Sequence, residues 1–228
     1  MNPPTRLPSY VSALALMTID LTNALRPEQA TSRFDHLHLA GAGVLAHRVR
    51  PDGSLSFSLE AVAVPAGAGE GRVADWLEDE LAIGGLISAY GLYKTVLPLI
   101  RSVTVQGRQL DLAALAVADT RRFHDLTERV AGGTPVTFER ACARAGIPIT
   151  PTDPARDQSW WATGQTPAMI AVLADHAIAA WRLWLAQHVG ASGDAALERR
   201  SLAELDRWRA RHPLPTSVVG TSHPTNAR

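Results

Sequence analysis

The segment that most constrains the fold is residues 166–189, which has the pattern of one long helix with very few polar positions. Thr166 and Pro167 are typical of a helix start. Large apolar side chains follow on nearly every face of this helix: Met169, Ile170, Leu173, Ile178, Trp181, Leu183, Trp184 and Leu185. A helix that is apolar all round must be buried. We therefore predict that residues 166–189 lie against a β-sheet.

The composition favours one soluble globular domain. The chain has 228 residues, of which 46% are hydrophobic and 19% charged, so it can bury one sizeable core. Lys plus Arg and Asp plus Glu number 22 each, and this zero net charge excludes a general electrostatic attraction for nucleic acid. Any nucleic-acid site must therefore be local. The single cysteine, Cys142, excludes an internal disulfide and a cysteine-built zinc site.

The sequence predicts neither a membrane span nor a signal peptide. No uncharged stretch reaches the roughly 18 to 20 apolar residues that a span needs. Prolines interrupt the run MNPPTRLPSY, where a signal peptide would have its apolar segment. We expect a cytoplasmic protein that makes no membrane contact.

The N-terminal part of the chain predicts a strand followed by a β-hairpin. Residues 12–19 are a short apolar run that ends in Asp20, as expected for a buried strand. Residues 36–49 and 54–64 are two extended runs, and the turn residues at 51–53 separate them. The first strand and this hairpin should therefore be neighbours in one sheet.

The rest of the chain alternates between helices and strands. The pattern predicts a helix over 73–82, a strand over 86–90, a helix over 92–103, a strand that runs into a helix over 121–133, a helix over 137–146 and an amphipathic helix over 194–211. Hairpins give antiparallel neighbours and helical crossovers give parallel ones, so we predict an α/β fold with a mixed sheet flanked by helices. The order resembles that of a ribonuclease H-like fold. We divide the chain into that domain, a C-terminal helix and a flexible tail: 1–190, 191–212 and 213–228.

Several short motifs are spaced as in a known enzyme family. The run Thr18-Ile19-Asp20-Leu21-Thr22 closes the first predicted strand. The run LISAYGLYKTVLPLIRS at 86–102 places Tyr90 and Gly91 before a helix that contains Pro98, and FHDL at 123–126 precedes AGIP at 145–148. In these motifs the sequence resembles the DEDD 3′–5′ exonucleases, in particular bacterial relatives of the proofreading domain of family B DNA polymerases.

The resemblance implies a site in which most metal ligands are replaced. The family's Asp-x-Glu pair falls on Asp20 and Thr22, and its next aspartate falls on Val96 or Thr95. Its last aspartate falls on His176, with Asp175 one residue early. Of these four family positions, only the one at Asp20 keeps a carboxylate. The family hydrolyses phosphodiesters with two Mg²⁺ or Mn²⁺ ions, which need several carboxylates to hold them. The resemblance therefore implies an exonuclease-like protein that is catalytically inactive and binds no cofactor. Its former active-site cleft would bind single-stranded nucleic acid or a protein partner.

Two alternatives remain open. In the first, the protein is an active exonuclease in which Asp20, Asp125, Asp175 and His176 hold one Mg²⁺ or Mn²⁺ ion. In the second, it is an interaction scaffold that binds no nucleic acid and forms a homodimer through apolar surface around its tryptophans. On the exonuclease-like interpretation, we expect Asp20 at the C-terminal end of the central strand, facing the helix of residues 166–189.

Aromatic residues are the candidate nucleic-acid contacts. Tyr90 stands where the resemblance has an asparagine, and Trp160 and Trp161 adjoin a polar loop. Stacking of a base on an aromatic side chain is worth about 1–3 kcal/mol. Packing in the core is the alternative role for the tryptophans.

Two further patterns have simpler explanations than a ligand site. The run GAGVLA at 41–46 fits a G-x-G-x-x-A dinucleotide motif, but it continues into an extended run where that motif needs a helix. The C-terminal helix is rich in arginine, but acidic residues at 198, 204 and 206 interrupt the basic stripe, so a solvated helix face is the default interpretation. The arginines in question are Arg199, Arg200, Arg207, Arg209 and Arg211.

Overall fold

The computed structural model describes residues 6–22, 36–81, 84–103, 119–128, 133–190 and 193–213. The strands within these ranges form one five-stranded sheet. The strands are β1 (Tyr10–Asp20), β2 (Leu37–Val49), β3 (Leu55–Ala63), β4 (Leu86–Ala89) and β5 (Phe123–Asp125).

The sheet is mixed, and β1 lies at its centre. The strand order is β3-β2-β1-β4-β5. β1 runs antiparallel to β2 and parallel to β4, while β3 is antiparallel to β2 and β5 is parallel to β4. The predicted mixed α/β sheet is therefore confirmed. β4 pairs with β1 only over Val11–Leu14, so the C-terminal part of β1 has β2 as its sole neighbour among the described strands.

Helices cover both faces of the sheet. They are α1 (Gly71–Leu81), α2 (Leu97–Ser102), α3 (Phe138–Arg144), α4 (Pro154–Ala162), α5 (Thr166–Gly190) and α6 (Ala195–Arg211). A π turn (Leu92–Val96) precedes α2, and a 3₁₀ turn (Thr120–Arg122) precedes β5. The core residues of α1 and α2 pack on one face of the sheet, and those of α3, α5 and α6 pack on the other.

The predicted burial of the long apolar helix is confirmed. α5 packs against β1, β2 and β3, and its own Trp181 and Trp184 are almost fully buried. Among the described helices α5 is the one that meets the length and composition of a membrane span, but 72% of the tested window of 18 residues is buried inside the protein. This burial is that of a core helix and is compatible with a soluble protein.

α5 and β2 approach each other very closely at the glycines of the GAGVLA run. A Cβ added at Gly43 would lie 2.6 Å from the carbonyl oxygen of Leu173, and one added at Gly41 would lie 2.6 Å from Leu173 Cδ1. The whole run belongs to β2, as the extended pattern predicted. These glycines therefore let a helix pack on a strand, and the run lacks the strand-to-helix turn that a dinucleotide motif requires.

One helix was not predicted from the sequence, and another forms where it was predicted but packs with the rest of the chain. α4 was not predicted, although the Asp-Pro pair at its start is a recognisable signal: Asp153 Oδ1 accepts hydrogen bonds from Ala155 N and Arg156 N, each at 3.1 Å, and Pro154 takes the first helical position. α6 forms as predicted, but it shares the core of the domain because Leu197 and Leu205 pack in one cluster with α5. The helix expected after β5 and the tail predicted over 213–228 fall largely outside the described residues.

Candidate functional site

A cavity of about 210 Å³ opens beside the C-terminal part of β1. It lies where β4 ends and the π turn begins, and α3 and α5 each contribute a side chain to its wall. The lining comprises Leu14, Ala15, Leu16, Thr18, Tyr90, Thr95, Val96, Leu99, Phe138, Thr152 and His176. Lys, Arg, Asp and Glu are all missing from this lining, so the cavity is mainly apolar, with polar groups from threonines, Tyr90 and His176.

The cavity lies at the edge of β1 and is lined from both faces of the strand, by Ala15 on the side of α5 and by Leu14, Leu16 and Thr18 on the other side. Met17 and Ile19 pack in the cluster that contains α5, so Leu14, Leu16 and Thr18 point to the opposite face, toward α2. Beyond Leu14 the edge of β1 is not covered by β4, and the cavity occupies this open edge. Leu14 and Leu16 therefore give this open edge an apolar wall.

The π turn brings Thr95 and Val96 to the cavity. Gly91 begins the turn with a φ of 69°, a left-handed conformation that favours glycine. The backbone N–H of Val96 bonds to the Gly91 carbonyl at 3.1 Å, which is the wider spacing of a π turn. Pro98 has no N–H to donate at the start of α2. The Val96 side chain is nearly fully buried and supplies an apolar wall.

Tyr90 forms another wall of the cavity. Its hydroxyl donates a hydrogen bond to the Val136 carbonyl, and its ring centroid lies 5.4 Å from that of Phe138. Burial raises the pKa of the Tyr90 hydroxyl, which therefore stays neutral. Its polar end is already occupied, so a ligand in the cavity meets mainly the ring.

Asp175 and His176, at neighbouring positions on α5, both bind the backbone of Thr150, one at its N–H and the other at its carbonyl oxygen. The carboxylate of Asp175 accepts a hydrogen bond from the Thr150 N–H at 2.8 Å. The Nε2 of His176 lies 2.8 Å from the Thr150 carbonyl oxygen, which can only accept, so Nε2 carries the proton and donates it. His176 reaches the cavity with its ring edge on Phe138, at a centroid separation of 6.0 Å. Both residues thus fasten the segment before α4 to α5.

Asp20 ends the central strand, as predicted, but the prediction that it faces α5 is wrong. Its neighbour Ile19 packs against α5, so alternation directs Asp20 to the other face, where its side chain is exposed. Its Oδ1 accepts hydrogen bonds from the Thr22 hydroxyl and from the Thr22 N–H, the latter at 2.8 Å. These two bonds lower the pKa of the Asp20 carboxyl. Asp20 and Thr22 therefore stabilise a turn, and neither lines the cavity.

The two tryptophans of α4 lie away from the cavity. The Arg156 guanidinium sits over the Trp160 ring at 4.7 Å from its centroid. The Trp161 ring lies 5.1 Å from the ring of His38. Both indoles are half-buried and pack beside the cluster of β1 and α5 side chains that includes Met17. Of the three predicted aromatic contacts, Tyr90 alone is part of the cavity.

Each carboxylate of the altered one-metal site accepts hydrogen bonds from a different threonine. Asp125 Oδ1 accepts hydrogen bonds from Thr127 N at 2.9 Å and from Thr127 Oγ1 at 2.6 Å, just as Asp20 binds Thr22 and Asp175 binds Thr150. Within the described ranges, no three His, Cys, Asp or Glu side chains form a group able to hold a metal ion. The donor set present does not fit the two-metal centre that the resemblance implies.

Sequence reasoning missed the β1 side chains that line the cavity, together with Phe138 and Thr152. Leu14 and Leu16 belong to an apolar run that is typical of any buried strand, so no local signal marks them. Their role depends on the position at which β4 stops.

Compared with protein-family models and with curated protein sequences, the chain matches none.

Proposed function

We propose that this protein is a catalytically silent relative of the DEDD exonucleases with a ribonuclease H-like fold, and that it binds a protein partner through the cavity beside β1. It would act in the cytoplasm as a soluble protein. The observation that carries the proposal is the cavity itself. The turn before α2 and the middle of α5, two of the segments on which the resemblance places metal ligands, contribute Val96 and His176 to it, whereas Asp20 and Thr22 lie outside it.

The strand order supports the exonuclease-like ancestry. An antiparallel β3-β2-β1 unit followed by two strands parallel to β1 is the arrangement expected of a ribonuclease H-like sheet. In such a sheet the metal ligands gather at the C-terminal end of the central strand. Here the cavity beside that strand is lined by Leu14 and Leu16, by Val96 on the π turn and by His176 on α5, while Asp20, on which the resemblance places the first aspartate, lies outside it. Hydrolysis through two divalent ions needs carboxylates at these places.

The chemistry of the lining favours a protein ligand over a nucleic acid. Phosphate groups are bound mainly by Lys and Arg, and the lining contains neither. A protein partner, by contrast, commonly anchors itself by placing one apolar side chain in a desolvated pocket. Leu14, Leu16, Val96, Leu99 and Phe138 provide such a pocket, and Thr18 lies half-exposed in its wall.

We expect no exonuclease activity on 5′-labelled single-stranded DNA or RNA in the presence of Mg²⁺ or Mn²⁺. The reason is that no carboxylate lines the cavity to neutralise a divalent ion. The measurement is product length on a denaturing gel, beside a reaction without protein. Stepwise shortening from the 3′ end that disappears in Asp20→Ala would instead establish the active alternative with an altered metal site.

We expect Thr18→Trp to weaken partner binding at least tenfold, since the indole fills the mouth of the cavity. Trp is favourable in strands, so β1 should tolerate it. The matched control is Ser58→Trp, which adds the same side chain at an exposed position of β3. The measurement is quantitative co-purification with the tagged full-length chain, followed by titration of the purified partner.

Three results separate the possible occupants. A protein retained by the unmodified chain and by Ser58→Trp, but lost by Thr18→Trp, supports the proposal. A dimer that dissociates only in Thr18→Trp identifies the partner as a second copy of this chain. Bound material that is nucleic acid, or that both variants retain equally, contradicts the proposal.

A further inference from the structure

A second concave surface lies at the opposite end of the sheet from the cavity. It is a groove of about 360 Å³ between the β2–β3 turn and the C-terminal end of α6. Three arginines line it, and we call it the arginine groove: Arg50 comes from the turn, and Arg207 and Arg211 come from α6. Because β2 runs antiparallel to β1, the turn that follows β2 is beside the start of β1 and far from the cavity.

Contacts between α6 and β3 hold the two sides of the groove together. Glu204 of α6 accepts a hydrogen bond from the backbone N–H of Leu55 through Oε2. The Trp208 ring packs on Phe57 with centroids 5.8 Å apart, and it stacks on His212 at 5.0 Å with an interplanar angle of 16°. The groove is therefore built from packed secondary structure.

The groove has an excess of positive charge in a chain of zero net charge. Its lining contains three arginines and one carboxylate, that of Glu204. Among the described residues, none of the three guanidinium groups takes part in an ion pair, whereas Arg182 pairs with Asp206 at 2.7 Å. Arg211 donates its Nε–H to the Arg207 carbonyl at 3.1 Å. This bond holds the Nε end of the guanidinium group in place and leaves the two terminal nitrogens for a ligand. The C-terminal end of a helix favours cations in its last turn, which accounts for Arg211 but not for Arg207 or for Arg50 on the β2–β3 turn.

We infer that the arginine groove binds a small phosphomonoester, with the phosphate held between Arg50 and the arginines of α6. A guanidinium group presents paired N–H donors whose geometry matches phosphate oxygens, and these charged hydrogen bonds are among the stronger ones. A phosphomonoester carries nearly two negative charges, which three arginines and one glutamate neutralise. The volume falls in the range of about 300–1,000 Å³ that is typical of small-molecule sites.

The charge pattern of α6 disfavours a nucleic-acid chain as the occupant. Beyond the groove, Glu198 and Asp206 interrupt the arginines of α6, so an extended polyanion would meet no continuous basic surface there. A single phosphate group needs no such surface. The groove shares no lining residue with the cavity beside β1, so failure of this inference leaves the proposed function untouched.

The test is isothermal titration calorimetry of the full chain with ribose 5-phosphate at constant ionic strength. We expect saturable binding of one ligand per chain, competition by inorganic phosphate and no competition by ribose. Arg207→Gln and Arg50→Gln should each weaken binding about tenfold or more, because each removes a charged donor pair. Since Arg50 lies outside α6, its variant decides the test if Arg207→Gln disturbs the helix.

The matched control is Arg199→Gln, which removes the same charge from the same helix. It lies eight residues before Arg207, about 12 Å along the helix axis, which exceeds the screening length of about 10 Å at 0.1 M salt. The affinity of the Arg199→Gln variant for ribose 5-phosphate should stay within about twofold of that of the unmodified chain. An equal loss in Arg199→Gln, or no heat beyond that of sodium chloride, overturns the inference. Tighter binding of a single-stranded oligonucleotide, with or without a 5′-phosphate, would replace it with a nucleic-acid site.

Discussion

Replacing Gly43 with alanine is expected to lower the free energy of unfolding by about 3 kcal/mol or more, at the upper end of overpacking effects. The added Cβ would lie 2.6 Å from the carbonyl oxygen and 2.9 Å from the carbonyl carbon of Leu173. These are backbone atoms in the middle of α5, so no side-chain rotation relieves the contact. The helix must move away from β2, and the apolar surface between them must loosen. The measurement is urea unfolding followed by tryptophan fluorescence.

The matched control for this substitution is Gly69→Ala. A Cβ at Gly69 would have no heavy atom within 4 Å, and the backbone there does not need the left-handed region. Surface changes of this kind usually alter stability by no more than about 0.5 kcal/mol. If Gly43→Ala and Gly69→Ala had the same stability, the close packing of α5 on β2 would be contradicted.

Stability is also expected to fall by about 3 kcal/mol as the pH drops from 6.5 to 4, because of one buried histidine. His47 is fully buried, and its Nδ1 accepts a hydrogen bond from the Trp181 indole N–H at 2.8 Å. Its Nε2 therefore carries the proton and donates it to the Pro8 carbonyl at 3.2 Å. Burial lowers the pKa of His47 to about 4, and the charge of His188 adds to this effect, while the bond to Pro8 opposes it.

The sign follows from proton binding in the two states. Between pH 6.5 and 4 the unfolded chain binds a proton at His47 and the folded chain does not, so acidification favours unfolding. The measurement is the free energy of unfolding in urea at several pH values across this window. In His47→Asn, which keeps an acceptor for the Trp181 N–H, this dependence should largely disappear. An unchanged pH profile in that variant, or titration of the His47 ring near 6.5 by NMR, would contradict the prediction.

The sequence alone could predict the elements whose patterns are local and strong. The apolar circumference of residues 166–189 required a buried helix, and α5 is one. The turn residues at 51–53 required a hairpin, and β2 and β3 form it. The helix predicted over 137–146 is α3, and Thr137 caps its start with a hydroxyl that accepts a hydrogen bond from Arg140 N at 3.3 Å. In each case the signal lies within a few residues of the structure that it specifies.

The candidate site was harder to predict because it depends on distant parts of the chain. The motif search selected Asp20 and Thr22, the polar residues at the end of the first strand, but these bind each other on the surface. The cavity instead collects apolar residues of β1, which become exposed to it because β4 stops opposite Leu14. Val96 and His176 were selected from the resemblance, and the structure does bring them into one lining.

The sequence by itself determined that this chain has a central strand beside a hairpin and a long helix buried on the sheet. These features follow from periodicity and composition, which act over single elements. Tertiary structure alone decided that Gly43 must lack a side chain, that Leu14 and Leu16 border a cavity, and that Arg50 and Arg207 line the same groove. Such relations join residues far apart in the chain, and their positions are set only when the helices pack on the sheet and bring separate elements within contact distance.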